Sequence, residues 1–350
     1  MTKRQLWIAK IAVAGLLVFL LLHPFSRPRK TKSPVQLESP DKIVMSTIAK
    51  VIAVAPDEKT ARLSIDAAFE KIYRVEKLAS RFDPNSQLSK VNLLAAKEPV
   101  KVDKELFDVL RQSVYYSRLS DGAFDITVGP LIDLWEKCAE TNSLPTDRQL
   151  AEVKKIVGYE KLLLDSNDFS VRFTAEGMKL DLGGIAKGFA VDLAVEEMKK
   201  AGAAGGLVAV GGEIGCFGST EKNEKWIVGI QNPRVSKSSD EGQNVIAKLY
   251  LTDRNVSTSG GYRRFYKIGE HHFSHIFNPA TEKSAETLSS VTIIASNGTQ
   301  ADALATAVSV LGAEKGLKLI EKEAITEAII VRAGSGEIIK SDGAGQYLAK

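Results

Sequence analysis

Cysteine is scarce in this sequence, and its scarcity excludes several classes of site. Cys138 and Cys216 are the only two among 350 residues. No CxxC pair and no His/Cys ligand cluster occurs, so any metal is expected to be a hard, oxygen-bound cation rather than zinc. A disulfide between the two requires an oxidising compartment; two free, buried thiols is the leading reading. Basic blocks interleaved with aromatic residues are missing from the globular part. The net charge of +4 is small against 47 basic and 43 acidic residues, which argues against nucleic acid as a partner. A GxxxxGK[ST] phosphate loop, a nucleophile elbow, a Ser-His-Asp order and internal repeats are all absent.

An uninterrupted membrane-length apolar run is lacking too. Lys3 and Arg4 precede an apolar stretch, Leu6 to Leu22, broken by Lys10. Its unbroken part, from Ile11, falls short of the ~20 residues that span a bilayer unaided. Lys10 can snorkel and lengthen it. Neither an A-x-A-like cleavage site nor an acylatable cysteine follows. Residues 1–26 therefore read first as an uncleaved signal anchor and second as a cleaved signal. Arg27, Arg29, Lys30 and Lys32 come next, so charge alone leaves the orientation open. Residues 27–42, rich in Pro, Ser and charge, read as a linker.

The whole chain is 44% hydrophobic, enough for one large or two intimately packed domains. A first strand is expected over Met45 to Ala55. Ile65, Phe69, Ile72, Val75 and Leu78 follow at helical spacing, and Phe82 to Ser86 is a turn. Leu106, Val109, Leu110, Val114 and Leu119 mark a second helix. Leu131 to Trp135 reads as core. Leu162 to Leu164, Met178 to Leu182, Leu207 to Val210, Ser290 to Ala295 and Ala328 to Val331 are expected strands. Ile185, Phe189, Leu193, Ala194 and Met198 give the buried face of a third helix, and a fourth covers Asp302 to Leu311. Ser236 to Gln243 is polar and reads as a mobile loop. Helices and strands mix without strict alternation, which indicates an α+β fold.

The most informative segment is LDLGGIAKGFAVD, Leu180 to Asp192. An acid, a Gly-Gly turn and a lysine lead into a helix whose first N–H groups suit a phosphate-bearing ligand. An ordinary strand–helix junction has the same pattern. Asp302 and Thr306 lie four apart on one face of an Ala/Leu/Val-rich helix, where burying them unpaired is costly. Either a divalent cation takes both oxygens, or Asp302 caps the helix while Thr306 bonds back to a carbonyl. His275, before Asn278-Pro279, is a proton shuttle, a substrate contact or a surface residue. Ser257 to Gly261 is either a second phosphate-binding loop or a hairpin. Phe124, after the Gly122 turn, is placed to stack on a ring. Together these pieces describe a site for a phosphate-bearing aromatic ligand with Mg²⁺.

RFDPNSQLSKVN, GAFDITVGPL, LDLGGIAKGFAVD, AVGGEIGCFG, STSGGY, HIFNPAT and ADALATAVSVLG, in this order, resemble the ApbE family of FAD:protein FMN transferases from about Met45 to Leu311. The resemblance implies a single catalytic module over 43–345, made of two closely packed subdomains. It implies that FMN moves from FAD to a Ser or Thr hydroxyl of a target protein, with Mg²⁺ on the pyrophosphate and AMP released. It places Met45, Phe82, Ala123, Phe124, Asp125, Asp181 and Lys187 around FAD. Asp302, Thr306 and the Gly184 carbonyl become Mg²⁺ ligands, and His275 acts in the transfer step. It further implies an acceptor in a membrane electron-transfer complex, and a catalytic domain outside the cytoplasmic membrane, the periplasmic side. Alternatives are FAD hydrolysis to FMN and AMP, and non-catalytic FAD binding. No acceptor motif is evident within the chain, so self-modification is not expected. Phe82 stands where relatives often carry Tyr. Asn278, Glu282 and Ser284 replace the family's Asp, Gly and Pro. Glu213 follows Gly-Gly where Asp or Asn is commoner.

Overall fold

Alternation of side chains along β-branched segments builds one large sheet with two different apolar faces. The computed structural model describes residues 33–234, 244–261 and 265–349. Among them nine strands share the sheet. From edge to edge they are Val35–Glu38, Thr47–Ala55, Gly205–Val210, Glu213–Phe217, Arg254–Ser259, Leu288–Ala295, Glu327–Arg332 and Ile338–Lys340, with Lys42–Val44 paired onto Thr47–Ala55. Every neighbouring pair is antiparallel.

Val51, Ala53, Val291 and Ile293 face the helices, while Val54, Ile294 and Ile329 face a smaller core with Trp226, Leu249 and Tyr347. On the helical side, Glu58–Ala79 starts where the Asp57 carboxylate accepts from Thr60 N at 2.8 Å. It buries Ile65, Phe69, Ile72 and Val75. The Ala186–Lys200 helix packs on it through Val191, Ala194 and Met198. The Gly298–Leu311 helix, composed largely of small residues, is buried along most of its length. Strands from both halves of the chain belong to one sheet, and Pro34–Lys350 forms a single compact unit.

Several boundaries differ from expectation. Val35–Glu38, read as linker, is an edge strand pairing with Ile52 to Ala55, and Leu37 packs on the core. Met45 and Ser46 do not start a strand. They turn a two-residue hairpin with φ of 50° and 58°, and the strand begins at Thr47. Met178 to Leu182 is extended but makes only an isolated parallel bridge, Lys179 to Val128. Its backbone is held instead by a side chain: Leu180 N donates to Asn92 Oδ1 at 2.7 Å, and Asn92 Nδ2 to Leu180 O at 3.0 Å. Ser257 to Ser259 lies in a sheet strand rather than a loop. The helices Gln87–Leu94, Gly129–Glu140 and Asp147–Ile156 had no expected counterpart; their apolar faces are short or partial. Leu131 and Trp135 are core as expected, and Cys138 and Cys216 are free, buried thiols. No helix of the described residues is long and apolar enough to cross a membrane. The apolar stretch within 1–26 and the loop Ser236 to Gln243 lie outside the described residues.

Candidate active site

The Gly-Gly segment is shaped by its neighbours on both sides. Asp181 N donates to Ile126 O at 2.8 Å, and the Asp181 carboxylate accepts from Gly183 N at 2.7 Å, tightening the turn. At Gly184 a Cβ would stand 2.8 Å from Thr306 Oγ1, so only glycine allows this approach to the Thr306 helix. The Ala186–Lys200 helix then starts without a side-chain cap. It crosses Gly298–Leu311 at closest quarters: a Cβ on Gly188 would lie 2.1 Å from Gly298 O. Asp192 locks the crossing by accepting from Gly298 N at 2.6 Å and Thr299 N at 2.8 Å, at the positive end of the second helix. Asn297 supplies the side-chain cap, accepting from Gln300 N. Asp302 is therefore not a cap. It sits inside the helix, 1% exposed, with Oδ2 accepting from Gly188 N at 3.0 Å.

This crossing brings charge together in a buried place. Lys187 Nζ donates to Gly183 O at 2.9 Å and lies 3.3 Å from Glu213 Oε1 and 3.8 Å from Asp302 Oδ2. Burial pushes the Glu213 pKa up to about 7, with Lys187 opposing and Asp302 adding to the rise. Burial also raises Asp302, against the pull of Lys187 and the Gly188 N–H. Glu213 Oε2 is buried without a hydrogen-bond partner. An orphaned buried acceptor beside a second carboxylate and a hydroxyl fits a hard cation. Among the described residues no group of three or more His, Cys, Asp or Glu could hold a metal. A cation here would take few protein oxygens and complete its shell elsewhere.

The opposite wall is built around Arg81. Its guanidinium contacts Asp133 at 2.9 Å, Glu136 at 2.8 Å and Asp181 at 3.1 Å, and it lies 4.8 Å from the centre of the Phe82 ring. Phe82 itself is 75% exposed. Glu76 Oε1 accepts from Met45 N at 2.5 Å, fixing the hairpin turn against the helix. His275 lies between the Phe265–Ile268/His271–Ser274 hairpin and the short strand Phe277–Asn278. In the same region Trp135, Phe277 and Tyr266 stack in series, 5.4 and 5.9 Å between ring centres. In the loop after His275, Asn278 Oδ1 accepts from Ala280 N at 2.9 Å, closing the turn as a carboxylate would. Glu282 adopts φ of 57°, which accounts for a glycine preference there.

Two expected contacts prove to be different in kind. Phe124 is 2% exposed and packs under Gly184, so it forms floor rather than a stacking face. The Asp125 carboxylate points into the structure: Oδ1 accepts from Thr127 N and Thr127 Oγ1 at 2.8 and 2.7 Å, and Oδ2 from Tyr159 N at 2.8 Å. Burial nevertheless pushes its pKa up to about 6. The folded protein thus keeps a proton that the unfolded chain releases near pH 4, so this group's contribution to stability is full below pH 4 and lost as pH rises through 6. Replacing Asp125 with Asn is expected to remove roughly 3 kcal/mol of that pH-dependent decline. It also sets an amide donor against Tyr159 N–H, lowering stability at pH 4 by about 1–3 kcal/mol. Urea unfolding of both proteins between pH 4 and 7 checks this; parallel profiles would contradict it.

All eleven residues singled out from the sequence line one cavity of about 520 Å³: Met45, Phe82, Ala123, Phe124, Asp125, Asp181, Gly184, Lys187, His275, Asp302 and Thr306. Glu76, Arg81, Glu136, Glu213 and Tyr266 line it too, and sequence reasoning assigned none of them a role. Ionic residues in otherwise apolar or glycine-rich surroundings were the available signal, as at Glu213 in GGEIGCF and Asp192 in FAVDLAV.

An antiparallel sheet covered by helices, with a deep cleft whose buried carboxylates face a hydroxyl and a lysine, defines an enzyme-like α+β protein. The sequence model of the ApbE family matches residues 45–330, and the chain belongs to that family. It is similar to the FAD:protein FMN transferase of Haemophilus influenzae, with 30% identity over 79% of this chain and 78% of that one. The FAD:protein FMN transferase of Vibrio cholerae is 31% identical over 80% of this chain and 82% of its own. The crystal structure of the ApbE protein of Thermotoga maritima superposes with a TM-score of 0.79 at 30% identity, covering 91% of this chain and all of that one.

Proposed function

We infer that this chain is an FAD:protein FMN transferase, an enzyme that moves FMN from FAD to a target protein. The observation that carries the site assignment is the convergence of all eleven sequence-selected residues on one cavity. In this reading the cavity takes FAD. Phe82, exposed at the rim and backed by Arg81, stacks on a ring of the ligand. Met45, Ala123 and the buried Phe124 and Asp125 shape the wall, and Asp181 and Lys187 meet polar parts of FAD.

Asp302, Thr306 and the Gly184 carbonyl would hold Mg²⁺, which fits the oxygen donors and the orphaned Glu213 acceptor beside them. When bound, the cation neutralises charge on the pyrophosphate. A Ser or Thr hydroxyl of the acceptor attacks the FMN phosphorus. The bond to the bridging oxygen breaks, AMP leaves with that oxygen, and the hydroxyl proton passes to a base. His275, at the cavity wall, holds that proton. The enzyme's main contribution is positioning and charge balance, as phosphoryl transfer requires.

Incubating the purified protein with FAD, Mg²⁺ and an acceptor domain should give an acceptor mass gain of one FMN less one water, and stoichiometric AMP. AMP with free FMN would instead support hydrolysis, and bound but unchanged FAD a carrier. His275→Ala should lower turnover about a hundredfold or more while FAD affinity stays within about threefold. Equal loss in both would move His275 from proton transfer to binding. The N-terminal segment completes the reading: it anchors the enzyme in the cytoplasmic membrane, with the catalytic domain on the outer side facing a flavin-carrying electron-transfer subunit. Protease protection of right-side-out vesicles tests that placement; a protected catalytic domain would refute it.

A further inference from the structure

The placement of Lys187 has a consequence for the order in which the site fills. Its ammonium lies 3.3 Å from Glu213 and 3.8 Å from Asp302, two carboxylates that are 4% and 1% exposed. Burying both as ionised carboxylates requires a balancing cation. The lysine supplies that balance from the first turn of its helix, on a stem whose side chain keeps 24% exposure toward the cavity. Glu213, longer by one methylene than the Asp or Asn commoner at this place, reaches the lysine while leaving Oε2 unpartnered. The carboxylate pair is thus arranged for more positive charge than one ammonium gives it.

We propose that Lys187 is an exchangeable counter-ion: it neutralises the Glu213–Asp302 pair until a divalent cation binds there, and is then released to the phosphates of the nucleotide. This rests on the assignment of Asp302 to the cation and Lys187 to FAD made above. Once a doubly charged ion faces the two carboxylates, the ammonium a few ångströms away is repelled toward the cavity that Lys187 lines. There an anionic pyrophosphate receives it. Cation and nucleotide then bind cooperatively, because the nucleotide takes up a lysine that the cation has displaced. Glu213 is a positioning residue in this scheme, since it sets where the lysine waits.

Two measurements on the full chain test the exchange. The first is Mn²⁺ binding without FAD, by isothermal titration calorimetry at fixed pH and ionic strength. Lys187→Met should bind Mn²⁺ about tenfold or more tightly than wild type, whereas Lys187→Arg, which keeps the charge, should not. Unchanged or weaker binding by Lys187→Met overturns the proposal. Asp302→Asn should abolish Mn²⁺ binding; wild-type affinity in that variant would sink the cation assignment itself, a different failure. The second needs no variant: acetic anhydride labelling of the wild-type protein, read by mass spectrometry. Lys187 should label several-fold faster with Mn²⁺ than without it, and an unchanged rate equally overturns the exchange.

Discussion

Asp302→Asn is expected to leave a folded protein with transfer activity reduced about a thousandfold or more at any Mg²⁺ concentration. The asparagine retains an oxygen where Asp302 Oδ2 accepts from Gly188 N, so the helix crossing keeps its hydrogen bond. Loss of one buried charge beside Glu213 also lessens repulsion between the two carboxylates, which favours the fold. What disappears is the anionic oxygen directed at the cavity. Removing a charge that a cation needs costs several kcal/mol of transition-state stabilisation when the cation carries the developing charge. Melting temperature, FAD affinity and turnover across a Mg²⁺ titration separate these effects. Near-wild-type turnover in a stably folded Asp302→Asn protein would remove the metal from this position. A parallel collapse of stability would make Asp302 a structural residue.

Why the sequence leads to Asp302 but not to its partners follows from how each is placed. Asp302 and Thr306 are four apart on one helix, so local spacing alone puts them on a common face. Lys187 and Gly184 likewise stand in one short segment. Glu213 reaches them only because its strand lies beside Arg254–Ser259 in the sheet and opens toward the helices, a relation that no local period encodes. Asn92 pins Leu180 across 88 positions, and Asp192 caps a helix 106 positions away. Both are single polar residues on otherwise apolar faces. The hairpin turn at Met45 and Ser46 was also hidden, because two ordinary side chains take positive φ there without Asn or Gly to announce it. Arg81 was read only as the first residue of the RFDPNSQLSKVN motif; its three carboxylate partners come from two separate segments. The α+β class and the main helices were legible because their apolar periods are long and regular. The strand order of the sheet was not, since it depends on which strands become neighbours.

Gly188→Ala is the substitution expected to damage the protein most broadly. A methyl group there would stand 2.1 Å from Gly298 O, 2.5 Å from Gly298 C and 2.8 Å from Asp302 Cβ. The first two are backbone atoms of a buried helix and cannot turn aside as a flexible side chain would. Gly298 meets the same limit from the other side, with its own added Cβ 2.6 Å from Gly188 O. The two helices must therefore separate, which breaks the bond from Gly188 N to Asp302 and strains the Asp192 bonds to Gly298 and Thr299. Overpacking a tight core costs about 1–3 kcal/mol and more where backbone must move, so a loss of about 3 kcal/mol or greater is expected. Activity should fall further than stability alone explains, because separation carries Asp302 and Thr306 away from Gly184. Gly345→Ala is the matched control: an added Cβ there has nothing within 4 Å, and its φ is not in the left-handed region. Urea unfolding and Mn²⁺ titration of the two variants give the comparison. Equal stability of both would mean that the helices cross less closely than their glycines require. Reduced stability of Gly188→Ala with undiminished Mn²⁺ affinity would mean that the cation site does not depend on the crossing.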